Sequence, residues 1–153
     1  MTSEVKPIPE DYYTATPYLI VKEPAKAIEF YKKALGAIEL MRLTDAEGKI
    51  RHAEIKIGDS PIMLAGEFPE FPEMRSPQTL GGSPVHIYLY VEEVDRLADQ
   101  AIAAGARVLM PVQDQNEDRR GGLVDPFGHV WWVASRIENL TREEIQRRFE
   151  AMR

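Results

Sequence analysis

Two stretches of this chain share one strand–turn–strand pattern, and that repetition constrains the fold more than any other feature of the sequence. Residues 123–134, LVDPFGHVWWVA, have a turn at their centre, where Pro126 sets φ and Gly128 can adopt the positive φ that closes the turn. Residues 55–65, IKIGDSPIMLA, also place a glycine-containing turn before an apolar strand. Aligned on their last four residues, the two hairpins indicate a chain built from two copies of one unit.

The segments around the two hairpins repeat one order of elements. In the first half, a helix begins at Pro24 and ends at Gly36, as expected for proline in a first turn and glycine after a last one. The predicted strands of this half are 12–21, 38–44, 49–57 and 61–65. The predicted elements of the second half are a strand at 85–91, a helix at 92–104, a strand at 108–112, a polar loop at 113–122 and the hairpin at 123–134. Both halves therefore follow the order β-α-β-β-β.

This repeat defines the predicted domain organisation. The predicted parts are modules at 12–66 and 83–137 within one domain at 12–137, a proline- and glycine-rich linker at 67–82 and a C-terminal helical extension at 138–153. Thr141 and Glu144 have the spacing of a capping box at the start of that last helix. Ile145, Phe149 and Met152 give the helix an apolar stripe, which we expect to pack on a sheet or on a partner chain.

Composition and charge exclude several classes of function. The 153 residues include no cysteine, which excludes disulfides, thiolate metal sites and cysteine nucleophiles. The formal charge is −6 and no long basic run occurs, so we expect no nucleic-acid partner, because phosphate binding needs clustered Lys and Arg. No apolar run approaches the roughly 20 residues of a membrane span, and the N-terminus has no secretory pattern. We therefore expect no membrane partner and a cytoplasmic protein.

One β-α-β-β-β unit covers only one face of its sheet with a helix, and strand alternation predicts which side chains remain on the other face. In the strand at 85–91, Ile87 and Leu89 are expected to meet the helix, which leaves His86, Tyr88 and Tyr90 on the open face. The same alternation predicts open-face positions in the first half for Thr16, Tyr18, Ile20, His52 and Glu54. Two units must combine to bury enough surface, so the sequence predicts an α+β fold whose open sheet faces line a cleft.

The paired modules, together with the segments HAEIKIGDSPIML and LVDPFGHVWWVA, resemble the vicinal oxygen chelate superfamily, and within it the PhnB-like branch. This superfamily includes glyoxalase I, extradiol dioxygenases, and fosfomycin and bleomycin resistance proteins. The resemblance covers residues 12–137 and implies a two-module cleft fold. It also implies homodimers, since members of the family usually pair. Because one fold supports many reactions, the resemblance does not specify the chemistry.

The resemblance further implies four metal-ligand positions, on the first and fourth strands of each module. In this chain those positions hold Thr16, Met63, His86 and Trp132. His86 is the one usual ligand among them, whereas a divalent metal needs three or more good donors. The sequence therefore predicts no resident cofactor. A divalent metal remains an alternative if His52 and Glu54 join His86 in a displaced ligand set.

Three functions remain open on these residues. The first is a binder of a small aromatic or hydrophobic molecule, with a cleft lined by Thr16, Tyr18, His52, Glu54, Met63, His86, Tyr88, Tyr90 and Trp132. The second is a metal-dependent lyase, isomerase or oxygenase, and the catalytic residues of such an enzyme remain unassigned. The third is a structural or regulatory dimer without a ligand. Asp118, Arg119 and Arg120 in the predicted polar loop would either gate an anionic ligand or be solvated.

Overall fold

Two units of one architecture make up the chain in the computed structural model, which describes residues 4–152. The first unit ends at Leu80 and the second begins at Gly81. Each unit contains a four-stranded mixed sheet, with a helix between its first and second strands. The predicted α+β class, with two β-α-β-β-β modules and a C-terminal helix, is therefore confirmed.

The first unit is organised around the helix that follows its first strand. Its elements are β1 (Tyr18–Ile20), α1 (Pro24–Leu35), β2 (Ile38–Thr44), β3 (Ile50–Ile57), β4 (Ser60–Ala65) and the short helix α2 (Pro77–Leu80). The strand order is β1-β4-β3-β2, with β1 parallel to β4 and the other pairs antiparallel. Helix α1 ends at Gly36, whose φ of 68° favours glycine, and its fully buried residues include Ile28 and Tyr31. These side chains form the core between α1 and one face of the sheet.

The second unit repeats this arrangement and adds a helix. Its elements are β5 (His86–Tyr90), α3 (Val94–Ala104), β6 (Arg107–Gln115), β7 (Asp118–Val124), β8 (Val130–Arg136) and α4 (Arg142–Ala151). The strand order is β5-β8-β7-β6, with β5 parallel to β8. Trp131 and Val133 of β8 are buried on the helix-covered face, together with Ala98 and Ala101 of α3.

The hairpin between β7 and β8 has the turn that the sequence predicts. Asp125 Oδ1 accepts hydrogen bonds from the backbone N–H groups of Phe127 and His129, at 2.9 and 3.0 Å. Asp125 Oδ2 accepts a third hydrogen bond, at 2.8 Å, from the indole N–H of buried Trp131. One buried carboxylate thus ties the turn to the core of the unit.

The predicted strand at 12–21 is wrong in length, because β1 has only three residues. Pro17 has no N–H to donate to a strand ladder, so regular pairing begins at Tyr18. The Pro17 carbonyl still accepts a hydrogen bond of 2.9 Å from Met63 N. Thr16 therefore precedes the strand instead of belonging to it.

The predicted polar loop at 113–122 is also wrong. Strand β6 continues to Gln115 and β7 begins at Asp118, which leaves Asn116 and Glu117 as the connecting turn. Asn116 has a φ of 54°, a left-handed conformation that asparagine tolerates better than most residues. The polar residues on either side of this turn are paired strand residues, so their side chains alternate between the two faces of the sheet.

The C-terminal helix α4 has the predicted start, and its apolar stripe is exposed. Thr141 Oγ1 accepts a hydrogen bond of 3.2 Å from Glu144 N, as the capping box requires. No residue of α4 is buried, and 65% of Phe149 and 49% of Met152 are exposed. The stripe is therefore not packed on a sheet of this chain, and packing on a partner chain stays a prediction. Among residues 4–152, no helix is long and apolar enough to cross a membrane.

Candidate functional site

Strand β5 presents polar and aromatic side chains on one face and apolar ones on the other. His86 is exposed, and 39% of Tyr88 and 57% of Tyr90 are exposed, whereas Ile87 and Leu89 are half-buried. This alternation confirms the predicted register, in which His86, Tyr88 and Tyr90 share the face opposite the helix.

Strand pairing brings residues of β8 and β7 beside these side chains. Tyr88 pairs with Trp132 of β8, which pairs in turn with Gly122 of β7. Arg120 and Asp118 lie on the same face of β7 as Gly122, because residues two apart on a strand share a face. We call this surface of the second unit the aromatic face, and it consists of His86, Tyr88, Tyr90, Asp118, Arg120, Trp132 and Arg136.

Asp118 is the buried centre of the aromatic face. Its Oδ2 accepts hydrogen bonds from the hydroxyls of Tyr88 and Tyr90, at 3.1 and 2.7 Å. Its Oδ1 accepts one from Arg136 Nε at 2.7 Å, and Arg136 Nη2 also donates to the Tyr90 hydroxyl at 3.2 Å. Because three donors converge on one carboxylate, both tyrosine rings are fixed although their faces remain accessible to a ligand.

This network shifts the pKa values of its members in opposite directions. Burial by itself would raise the pKa of Asp118, but the hydrogen bonds from Tyr90, Arg136 and Tyr88 outweigh it and hold that pKa below its usual range. Burial raises the pKa of Tyr88 to about 12, against the opposing effect of the Arg120 guanidinium. At neutral pH, Asp118 is therefore ionised and Tyr88 remains a neutral hydroxyl that donates to Asp118.

The Trp132 ring packs closely against Gly122 of β7, where a larger residue would not fit without a shift. A Cβ atom on Gly122 would come within 2.8 Å of Trp132 Cζ3, closer than non-bonded carbon atoms approach. The indole N–H of Trp132 donates to His86 Nδ1 at 3.0 Å, and the two ring centroids are 6.2 Å apart. Gly122 and His86 together hold the Trp132 ring as a flat platform on the aromatic face.

The first unit has a second polar group of side chains on the corresponding strands. His52 Nε2 lies 2.8 Å from Glu54 Oε2, and His52 Nδ1 lies 3.3 Å from the Tyr18 hydroxyl. The hydroxyl of Tyr12 donates to the other oxygen of Glu54. Met63 pairs with both Tyr18 and Glu54 in the sheet. The predicted alternation in β3 is confirmed, since Ala53 and Ile55 are fully buried between these polar residues.

The four metal-ligand positions that the resemblance implies do not fit a divalent cation in this chain. Met63 offers only a thioether, Thr16 only a neutral hydroxyl, and the indole nitrogen of Trp132 is a donor that carries no lone pair for a metal. His86 Nδ1 already accepts the Trp132 N–H. Within residues 4–152, no group of three or more His, Asp or Glu side chains is arranged to hold a metal ion.

The sequence reasoning does not find the network that fixes the aromatic face. It places Asp118 and Arg120 in a loop, where they either gate an anionic ligand or are solvated, and it gives Arg136 no role. Two signals could have found them: an asparagine suited to a tight turn at Asn116, and the alternation of Asp118, Arg120 and Gly122 after it. In the first unit Tyr12 was missed, because it contacts Glu54 from a segment that lies outside regular structure.

Residues 11–133 match the Glyoxalase/Bleomycin resistance protein/Dioxygenase superfamily. This match covers most of the chain and agrees with the repeated β-α-β-β-β units described above. The chain therefore belongs to this superfamily, as the resemblance in its hairpins and helices implied.

Individual relatives are consistent with this assignment. The Mycobacterium bovis protein Mb0911c is 40% identical over 134 residues, a match that covers 86% of this chain and 88% of the relative. The solved structure of the fosfomycin resistance protein FosX from Listeria monocytogenes, complexed with Mn(II) and a sulfate ion, is similar with a TM-score of 0.64 at 20% identity, and covers 90% of this chain and 97% of FosX. A PhnB protein from Bacillus cereus is similar with a TM-score of 0.62 at 18% identity, covering 80% of this chain and 99% of that structure. The two structural similarities show a shared fold.

Proposed function

We propose that this protein binds a small aromatic or hydrophobic molecule at the aromatic face, without a metal at the four family positions. The observation that carries the proposal is the pair Tyr88 and Tyr90, which are 39% and 57% exposed although their hydroxyls are bound to buried Asp118. An exposed aromatic side chain is usually mobile. These two are held at the backbone by strand β5 and at the hydroxyl by a hydrogen bond to Asp118. Fixed aromatic surfaces bind flat ligands at a low cost in conformational entropy.

Superfamily membership supports this proposal without specifying it, because relatives in one fold family differ in their chemistry. The donor set at the family positions favours binding over metal-assisted catalysis, since Met63 and Trp132 are unsuited to coordinate a divalent cation. The Trp132 platform adds a third aromatic ring beside Tyr88. This surface offers stacking and hydroxyl hydrogen bonds, the features by which apolar sites orient a ligand.

A thermal-shift screen of small aromatic compounds tests the proposal, because a ligand that binds only the folded state raises the melting temperature. Tyr88→Ala should weaken binding of any hit by roughly 1 to 3 kcal/mol, the range for loss of an aromatic anchor. Tyr13→Ala is the matched control, since Tyr13 is 58% exposed and lies outside the aromatic face. Hits that bind Tyr88→Ala as tightly as the unaltered protein would contradict the proposed site.

A metal-dependent reaction is the second candidate, and the contact between His52 and Glu54 favours it. These two side chains place a ring nitrogen and a carboxylate oxygen 2.8 Å apart, which supplies two donors of the types that divalent first-row metals use. Elemental analysis of the purified protein distinguishes the candidates. About one equivalent of metal per chain, lost in His52→Ala, would favour this reaction over metal-free binding.

We also propose that the protein forms a homodimer. The edge strand β2 exposes Ile38, Leu40 and Leu43, and such apolar edges are common at subunit contacts. Sedimentation velocity at micromolar concentration tests this proposal, and a single monomeric species would contradict it.

A further inference from the structure

Arg120 carries a positive charge on the aromatic face, and no acidic side chain among residues 4–152 forms an ion pair with it. The acidic residue of that face is Asp118, which is already paired with Arg136 at 2.7 Å. Within residues 81–152, no carboxylate forms an ion pair with Arg120. Its Nε donates to the neutral amide of Gln115 at 2.9 Å, and Gln113 is its paired residue across the sheet. In a chain with a formal charge of −6, this arrangement leaves one unpaired cation among three aromatic rings.

Arg119, the neighbouring residue on β7, is an arginine of this unit whose charge is paired with acidic side chains. Arg119 points to the opposite face, where it donates to Asp95 at 2.8 and 2.9 Å and to Asp114 at 2.9 Å. These bonds occupy the guanidinium of Arg119 with two carboxylates. Arg120, by contrast, has five N–H donors, and among residues 4–152 its hydrogen bond is to the neutral amide of Gln115, so other donors remain for a ligand.

The position of Arg120 relative to the rings limits the shape of such a ligand. Its guanidinium carbon lies 5.5 Å from the centroid of the Trp132 ring, and Trp132 is paired with Tyr88. An anionic group bound by Arg120 would therefore be next to a flat apolar surface. One unpaired positive charge matches a monoanion, and the planar guanidinium matches a carboxylate in two-point contact.

We propose that the aromatic face binds a small aromatic carboxylate, whose carboxylate pairs with Arg120 while its ring lies against Trp132 and Tyr88. This inference rests on the function proposed above and specifies the class of ligand. Asp118 fixes the Tyr88 side of this site, because its carboxylate accepts a hydrogen bond of 3.1 Å from the Tyr88 hydroxyl.

Two matched probes separate the charge from the ring. Fluorine NMR titrations measure the affinity of 4-fluorobenzoate and of 4-fluorobenzamide, which has a similar shape but no charge. The intact protein should bind the benzoate roughly tenfold more tightly than the benzamide, because a charge-assisted contact adds about 1.4 kcal/mol or more. Arg120→Gln should abolish this preference, and Arg120→Lys, which keeps the charge but not the planar fork, should retain part of it. Arg119→Gln is the control and should keep the full preference.

The outcomes distinguish this inference from the function on which it rests. Equal affinity of the intact protein for both probes, with binding weakened by Tyr88→Ala, would overturn the ligand class and leave the binding site in place. A benzoate preference that survives in Arg120→Gln would also overturn it. If neither probe binds, or if Tyr88→Ala leaves the binding of both unchanged, the proposed site itself is wrong. Urea unfolding of each variant checks that any loss of binding comes from a folded protein.

Discussion

Replacement of Asp118, a buried carboxylate, by asparagine should destabilise the second unit more than the same change at an exposed carboxylate. The amide keeps the size of the side chain and one acceptor oxygen, but it presents an NH₂ group where the carboxylate accepts from donors. Three hydrogen bonds are affected, from Tyr88, Tyr90 and Arg136. Each hydrogen bond to a charged group contributes about 1.5 to 3 kcal/mol.

The net loss should be smaller than the sum of these bonds. A tyrosine hydroxyl can rotate to accept from the new amide, and water can solvate Arg136, whose side chain is 46% exposed. We therefore expect Asp118→Asn to lower the free energy of unfolding by about 2 kcal/mol. The measurement is urea denaturation at neutral pH, followed by circular dichroism and by tryptophan fluorescence.

Asp114→Asn is the matched control for this prediction. Asp114 also pairs with an arginine, Arg119, at 2.9 Å, but 67% of its side chain is exposed. Exposed ion pairs contribute little, so the control should lose less than about 1 kcal/mol. If Asp118→Asn costs no more than Asp114→Asn, the buried network does not stabilise the aromatic face and the reasoning above is refuted.

Two further predictions follow from the same surface. Because the pKa of Asp118 is lower in the folded than in the unfolded state, its stabilisation is complete above the unfolded value of about 3.9 and is lost as the pH falls through the lower folded value. The stability difference between the unaltered protein and Asp118→Asn, measured in urea, should therefore stay constant above about pH 5 and shrink as the pH falls below about 4, and a difference that stays constant there would contradict this linkage. Gly122→Ala should cost about 1 to 2 kcal/mol, because the new Cβ would come within 2.8 Å of the Trp132 ring and displace it from His86. An unchanged urea midpoint and an unchanged near-ultraviolet circular dichroism spectrum would show that the Trp132 ring does not need the glycine.

The sequence predicts the architecture well because its signals are local. Helix α1 is flanked by Pro24 and Gly36, and the β7–β8 hairpin has its proline and glycine at fixed offsets. Alternation in β3 and β5 assigns side chains to faces without knowledge of the partner strands. The repeat then supplies the order of the elements, since each half contains the same hairpin after the same helix.

The candidate site is harder to predict from the sequence than the architecture. Its central residue, Asp118, is brought to the tyrosines by strand pairing and not by a local sequence pattern. Tyr88 and Tyr90 could be assigned to an open face, but the carboxylate that holds them lies on β7, about 30 residues away along the chain. The charged stretch around Asp118 suggested a solvated loop, since paired strands rich in Asp and Arg are uncommon. For the same reason, the sequence does not predict that Arg120 and Arg136 lie beside these tyrosines. Thr16 was misassigned because Pro17 interrupts the ladder one residue after it.

The two tryptophans of this chain allow the most direct test of the claim that the aromatic face is a binding site. Trp132 lies on that face, whereas Trp131 is 1% exposed and bonded to Asp125 inside the core. In nitrogen-15 NMR spectra, titration with 4-fluorobenzoate should shift the indole resonance of Trp132 in a saturable manner and leave that of Trp131 in place, with Trp132→Phe providing the assignment. A stationary Trp132 resonance while the fluorine signal reports binding would place the ligand elsewhere and contradict the claim.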